Sequence, residues 1–193
     1  MAAVKLIQVA GPRHIRQITE THKKEFSNLL SGQMGTSFLM FTYKKILKCG
    51  IIIVAFSEGN FAGFISGIID ENKMYDLEYY FMTILAVVSH IYSPKVIINL
   101  LRYLRKKILL TNEMPMPELF SITVLEKYRR KGIGRLLVGA FEKYLKEKRI
   151  KEYKVFTDME FSKGSKLYDA LGFTLKHQLN LNGLTLRMYS KKI

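Results

Sequence analysis

The stretch Val124-Leu-Glu-Lys-Tyr-Arg-Arg-Lys-Gly-Ile-Gly-Arg-Leu-Leu137 joins a strand end, a basic glycine turn and a helix start within fourteen residues. Upstream, Leu119-Phe-Ser-Ile-Thr-Val124 reads as a buried strand. Downstream, Leu136, Leu137, Ala140, Phe141, Tyr144 and Leu145 recur at helical spacing and form one apolar stripe. The turn Arg129-Arg130-Lys131-Gly132-Ile133-Gly134 sits between them. Glycines at a helix start let backbone N–H groups approach a ligand closely. The helix dipole and three cationic side chains favour a phosphate or pyrophosphate there. A basic loop that only caps a helix would read the same way, so the turn alone leaves both readings open.

Two phosphate-binding loops are excluded by spacing. A P-loop needs four residues between its first glycine and Gly-Lys, and here the lysine precedes the glycine. A dinucleotide fingerprint needs a third small residue, and Leu137 occupies that place. The pattern that fits is Arg/Gln-x-x-Gly-x-Gly/Ala. A second segment adds weight: after the buried strand Lys154-Val-Phe-Thr157 comes Leu167-Tyr-Asp-Ala-Leu-Gly-Phe173, with thirty-six residues from Gly132 to Tyr168. In this order, the two motifs resemble the acetyl-CoA turn and the L-Y-x-x-x-G-F signature of the GNAT (GCN5-related) N-acetyltransferases. The resemblance is strong over 118–189, weaker over 1–70 and absent over 72–115. Phe161 and Gly164 stand where family members often carry Asn and Ala, and Arg130 stands where many carry Gly.

The resemblance implies an α/β (α+β) fold: a mixed, mostly antiparallel central sheet flanked by helices, in one domain over 1–193. The rest of the chain agrees with that order. Residues 4–10 read as a strand, 12–31 and 37–48 as helices, and 51–56 and 61–69 as a hairpin around Glu58-Gly59-Asn60. Residues 72–115 are extra, and read as a helical insertion before the cofactor strand, with Pro94 splitting two helices. Tyr75, Tyr79, Tyr80 and Phe81 read either as an acceptor-pocket lining or as part of a helical layer over one sheet face. Met114-Pro-Met-Pro117 then forces extended chain. Asn182-Gly183 marks a terminal hairpin.

Composition bounds the function. A chain of 193 residues supports one substantial core. With 48% hydrophobic residues, 12 Phe and 11 Tyr, it reads as folded. Its net charge of +15 favours anionic partners. The single Cys49 permits no internal disulfide, and no Cys/His metal site is indicated. The apolar run within 79–101 is too short for a membrane span, and no signal-peptide layout is seen, so a cytoplasmic location is expected.

If the resemblance holds, acetyl-CoA is the co-substrate. Its pantetheine arm runs beside Ile122, Thr123 and Val124, and its pyrophosphate sits on Arg129, Arg130, Lys131, Gly132, Ile133, Gly134 and Arg135. Tyr168 is then placed to protonate the leaving thiolate. Glu118, opening the cofactor strand, is the first choice of general base, with Asp158 and Glu160 in reserve and His22 and His90 as weaker candidates. Tyr168 also reads as a core aromatic, and each carboxylate as a surface group. The implied reaction is acetyl transfer to a primary amine, with an amino sugar or sugar nucleotide suggested by a loose likeness in 22–48. A protein or peptide amine is the alternative. A non-catalytic nucleic-acid binder using Arg102 to Lys107 is the rival class. A homodimer is left open.

Overall fold

Among the described residues, seven strands form one sheet in the order β1-β2-β3-β4-β5-β7-β6. They are β1 (Val4–Val9), β2 (Gly50–Ser57), β3 (Asn60–Ile68), β4 (Glu118–Val124), β5 (Glu152–Asp158), β6 (Thr174–Leu181) and β7 (Leu184–Lys192). The computed structural model describes residues 4–27, 30–33, 35–88, 116–158, 168–181 and 184–193. The chain divides into two units: Met1–Gln8, Ile53–Ile69 and Met116–Ile193 form the first, and Val9–Ile52 and Asp70–Pro115 the second.

The first unit holds the sheet's working part. β3–β4, β5–β7 and β6–β7 pair antiparallel, whereas β4–β5 pair parallel. A parallel neighbour needs a crossover. Helix α6 (Ile133–Glu147) supplies it, burying Ile133, Leu137, Val138, Phe141 and Leu145. Of the stripe that the sequence predicts, Leu137, Phe141 and Leu145 are buried, whereas Leu136 is exposed and Ile133 and Val138 take part instead. One row of paired residues, Gly67, Leu119, Val155 and Tyr189, crosses four strands on the face that α6 covers. Gly67 is what lets the helix approach. A Cβ there would lie 2.3 Å from Phe141 Cε2 and 2.5 Å from its Cζ. Phe141 in turn meets the Tyr153 ring edge-on, with centroids 5.3 Å apart. Glu142 pins the next position of the helix: its Oε1 accepts from Tyr153 Oη at 2.9 Å and from Lys191 Nζ at 2.6 Å. Burial, and then the Glu142 charge, push the Tyr153 phenol far above its usual pKa, so it stays a donor.

The second unit carries α1 (Ile15–Glu25), α2 (Leu30–Gln33), α3 (Thr36–Cys49), α4 (Glu71–Met74) and α5 (Leu77–Val88). Buried His22 Nδ1 and Tyr43 Oη are 2.6 Å apart and tie α1 to α3. Lys45 reaches from α3 to Asp76 at 2.6 Å and Glu78 at 3.0 Å. Asp76 also caps α5 by accepting from the Tyr79 N–H at 3.0 Å. Tyr79 is buried and packs on Phe38, Phe41 and Tyr75. Of the four insertion aromatics, Tyr79 is therefore core, whereas Tyr80 and Phe81 are exposed.

The first helix is shorter than its sequence suggests. The expected 12–31 becomes a 3-10 turn at Pro12–His14, then α1, then a separate short α2. The chain folds back at Phe26, whose ring lies on His22 at 4.5 Å. Gly32 then comes so close that a Cβ on it would meet the Phe26 carbonyl oxygen at 2.0 Å. Helical periodicity reports the buried face and not this reversal. The second insertion helix and the Asn182-Gly183 turn lie outside the described residues. The strands beside that turn do pair, with Leu181 opposite Leu184.

Two outcomes follow from this packing. Gly67→Ala should destabilise by about 1–3 kcal/mol, because the new methyl meets a ring that has no room to move. In a Phe141→Leu background the same change should cost less than about 1 kcal/mol. Urea denaturation of the four proteins measures both. Burial depresses the His22 pKa from 6.5 to about 4. Between these values the unfolded chain binds the proton and the folded one does not. Stability is therefore full above pH 6.5 and falls as the pH drops toward 4, by up to roughly 3 kcal/mol from this group. His22→Gln should flatten that part of the stability–pH curve. An unchanged slope would remove His22 as its source.

Candidate active site

The parallel pairing of β4 with β5 covers only Glu118–Lys154 and Leu119–Val155. Beyond it the two strands part. The cause is visible on the other edge of β4, where Ser66 pairs with Ser121 but Gly67 pairs with Leu119. Phe120 is thus an extra residue, a bulge that bends β4 and increases its twist. β4 stays with β3 along its whole length and leaves β5 after two residues.

The bulge opens a gap, and the ladder decides which backbone groups face it. Leu125 N–H donates to the Ala62 carbonyl at 2.9 Å, one step beyond the Gly63–Val124 pair. That makes Gly63–Val124 a non-hydrogen-bonded pair and Phe64–Thr123 a hydrogen-bonded one. The N–H and C=O of Ile122 and Val124 therefore point away from β3, on the β5 side. Those of Thr123 point at β3, so of the expected trio it alone turns its backbone away from the gap. Bulged strands carry no clear sequence mark, and this geometry could not be read from Leu119 to Val124.

The basic turn follows at once. Arg129 Nε donates to the Val124 carbonyl at 2.8 Å, so this cation frames the strand end. Arg130 adopts φ 63° and Gly132 φ 81°, both left-handed. Gly132 is the residue before α6, and a Cβ added there would meet nothing within 4 Å. Helix geometry leaves the amides of Ile133, Gly134 and Arg135 without an i−4 carbonyl, and Arg130, Lys131 and Arg135 are exposed beside them. Lys131 Nζ and Lys127 Nζ lie 5.7 Å and 4.9 Å from the Tyr128 ring centre. Donor amides, an open glycine and several exposed cations share one short turn, a chemistry that suits a pyrophosphate.

Tyr168 is buried on the α6 face of the sheet. Its ring packs on Phe173 at 5.2 Å and on Tyr189 at 6.0 Å. Tyr189 lies opposite Val155, where the β4–β5 ladder ends. The Tyr168 carbonyl accepts from the Leu171 and Phe173 amides, closing a tight turn into β6. Burial raises the phenol pKa well above its usual value. Tyr168 is thus a core aromatic packed against β7. Glu118 is buried at the start of β4, at 8% exposure. Asp158 ends β5, while Glu160, His90, Phe161 and Gly164 lie outside the described residues. His22 belongs to the α1–α3 core of the second unit. One buried charge is unexpected: Lys154, in the middle of β5, is only 2% exposed. Its neighbours Val155 and Phe156 read as a buried strand, and the lysine was hidden among them.

Residues 100–173 match the family described as acetyltransferase (GNAT) family. No curated protein matches the sequence. Among solved structures, the chain is similar to ribosomal-protein-alanine N-acetyltransferase from Brucella melitensis at 16% identity, covering 97% of this chain and 99% of that one, with a TM-score of 0.64. It is similar to yncA from Salmonella typhimurium, solved with its cofactor acetyl-CoA, at 14% identity, 97% and 92% coverage and a TM-score of 0.62. PaiA N-acetyltransferase from Thermoplasma acidophilum, in complex with coenzyme A, gives 15% identity, 97% and 98% coverage and a TM-score of 0.59. At such identities the likeness is one of fold. Among the described residues, no helix is long and apolar enough to cross a membrane.

The turn can be tested by itself. Gly132→Val places a branched side chain in the open space and on a left-handed residue. Coenzyme A affinity should fall at least tenfold by calorimetry, with a stability cost of about 1–2 kcal/mol. Gly134→Ala is the control. Its Cβ would meet only Val124 Cγ2, at 3.9 Å, so affinity should hold while stability rises by up to about 1 kcal/mol. Equal affinity in both variants would take the turn out of the cofactor site.

Proposed function

We propose that this chain, whose residues 100–173 match the GNAT acetyltransferase family, moves an acetyl group from acetyl-CoA to a primary amine by direct attack. The observation that carries this reading is the parting of β4 and β5 beside a helix start rich in donor amides. The pyrophosphate sits on the turn Arg130 to Arg135, and the pantetheine arm lies in the gap, where its amides replace the missing β5 ladder by bonding Ile122 and Val124. An outward amide of β4 polarises the thioester carbonyl as charge builds on its oxygen.

In the reaction, the amine nitrogen bonds to the carbonyl carbon, the C–S bond breaks, the nitrogen loses a proton and the sulfur gains one. A thiol titrates near ~8.5 and a phenol near ~10. Tyr168, raised further by burial, stays protonated and donates to the departing sulfur. A lysine-like amine is neutral in only about one part in a few thousand at pH 7, so a base is needed, and Glu118 takes that role. The acceptor is proposed to be an amino sugar or sugar nucleotide, with a protein or peptide amine as the alternative. Purified protein, acetyl-CoA and a panel of amino sugars, nucleotide-linked amino sugars and peptides decide between them by thiol release.

Tyr168→Phe should lower turnover by about 10²- to 10⁴-fold with little change in acetyl-CoA affinity, because one hydroxyl is removed and the ring packing is kept. Glu118→Gln should slow the enzyme most at low pH, where the amine is most protonated. A Tyr168→Phe enzyme at wild-type speed, measured where chemistry limits the rate, returns Tyr168 to a purely structural role.

A further inference from the structure

We propose that Gly63 of β3 is a positioning residue for the cofactor: its missing side chain lets the outer end of β4 lie close against β3, and so fixes where Val124 stands at the gap. This deepens the reading of that gap as the site of the pantetheine arm, and rests on it. Gly63 stands opposite Val124, the last residue of β4 and one of those whose N–H and C=O face the gap. A Cβ on Gly63 would overlap the Thr123 carbonyl oxygen. It would also lie 3.0 Å from Val124 Cα and 3.2 Å from the Thr123 carbonyl carbon. All three are backbone atoms, which cannot turn aside as the tip of a side chain does. A methyl there forces the two strands apart. Gly67, four residues on in the same strand, differs in kind, because its Cβ would meet chiefly the Phe141 ring.

The surroundings decide which strand gives way. β3 lies inside the sheet, bonded to β2 on one edge and to β4 on the other. Phe61, Ala62, Phe64 and Ile65 are buried on either side of Gly63. The end of β4 has β3 on one edge only, since its pairs with β5 stop at Leu119. β4 is therefore the strand that yields, and it yields toward the gap. Val124 is sensitive to such a shift. Its carbonyl accepts from Arg129 Nε at 2.8 Å, and its Cγ2 lies 3.9 Å from where a Cβ on Gly134 would stand. The next tether is the Leu125 N–H, which donates to the Ala62 carbonyl at 2.9 Å. A displaced Val124 carries its N–H and C=O away from the amides of the arm, and hydrogen bonds weaken steeply with lost alignment. The amides at the start of α6 keep their place, because Phe141 and Glu142 anchor that helix to β5 and β7. The arm is thus affected and the pyrophosphate is not.

The experiment separates the two ends of the cofactor. Binding of CoA, and of ADP, which has the pyrophosphate and lacks the arm, is titrated at a temperature where every variant is folded. In Gly63→Ala, CoA affinity should fall by about tenfold, the equivalent of one or two misplaced backbone hydrogen bonds, while ADP affinity holds. Gly67→Ala is the control for lost stability alone and should keep both affinities. Should Gly63→Ala fail to fold, Leu125→Pro is read the same way. Leu125 has φ −56°, which suits the ring, and a ring carbon in place of the N–H drives the same strand end off Ala62. CoA binding at wild-type strength in the folded variant overturns this inference alone. So does an equal fall for ADP, or an equal loss of CoA affinity in Gly67→Ala. A wild-type protein that binds no CoA overturns the reading of the gap, and this inference with it.

Discussion

β4 has to satisfy two neighbours that run in opposite directions, and it satisfies only one of them fully. It follows β3 from Glu118 to Val124 and keeps β5 for two residues. The extra residue at Phe120 is what makes this possible, since a strand that bends out of plane cannot stay in register on both edges. An interrupted ladder inside a sheet is costly unless the released N–H and C=O groups find other partners. A ligand with amides of its own is such a partner. The defect in the sheet is therefore the feature that gives the fold a use.

A gap is useful only if its walls do not move. The α6 side is held by contacts that resist sliding: the Phe141 ring seated over Gly67, and Glu142 shared between Tyr153 and Lys191. These lie in the middle of the helix, so the start of α6 is fixed relative to the end of β4. Arg129 closes the connection by returning to the Val124 carbonyl. A site placed on a helix start and a strand end, both anchored in the core, keeps its geometry better than one carried by a long loop.

Much of this was open to reading in the chain itself. The α6 stripe, the glycine turn and the order of strands all follow from local pattern, because periodicity and turn chemistry are local properties. What escaped was non-local. The bulge at Phe120 depends on how β3 and β4 count against each other, and nothing in Leu119 to Val124 records that count. The stop of α1 at Glu25 depends on Gly32 returning to Phe26. Lys154 lies within the stretch that reads as a buried strand, but which of its side chains are covered depends on what lies over the sheet face. Thr123 was grouped with Ile122 and Val124 by adjacency, whereas the ladder sorts alternate residues to opposite edges.

The two faces of the sheet differ in kind, and the difference bears on the proposed chemistry. On the α6 face the row Gly67, Leu119, Val155 and Tyr189 is apolar, with Tyr153, Phe173 and Tyr168 packed around it. The opposite face buries Ser66, Ser121, Glu118, Lys154 and Ser190. Burying so many polar groups is unfavourable unless they are paired or used. Tyr168 belongs to the first face and Glu118 to the second. In the proposed reaction the carboxylate that removes a proton and the phenol that delivers one belong to different faces. Proton removal and proton delivery would then occur on opposite sides of the sheet. A tyrosine whose pKa is raised by burial suits such a division. It stays protonated at neutral pH and so remains a donor.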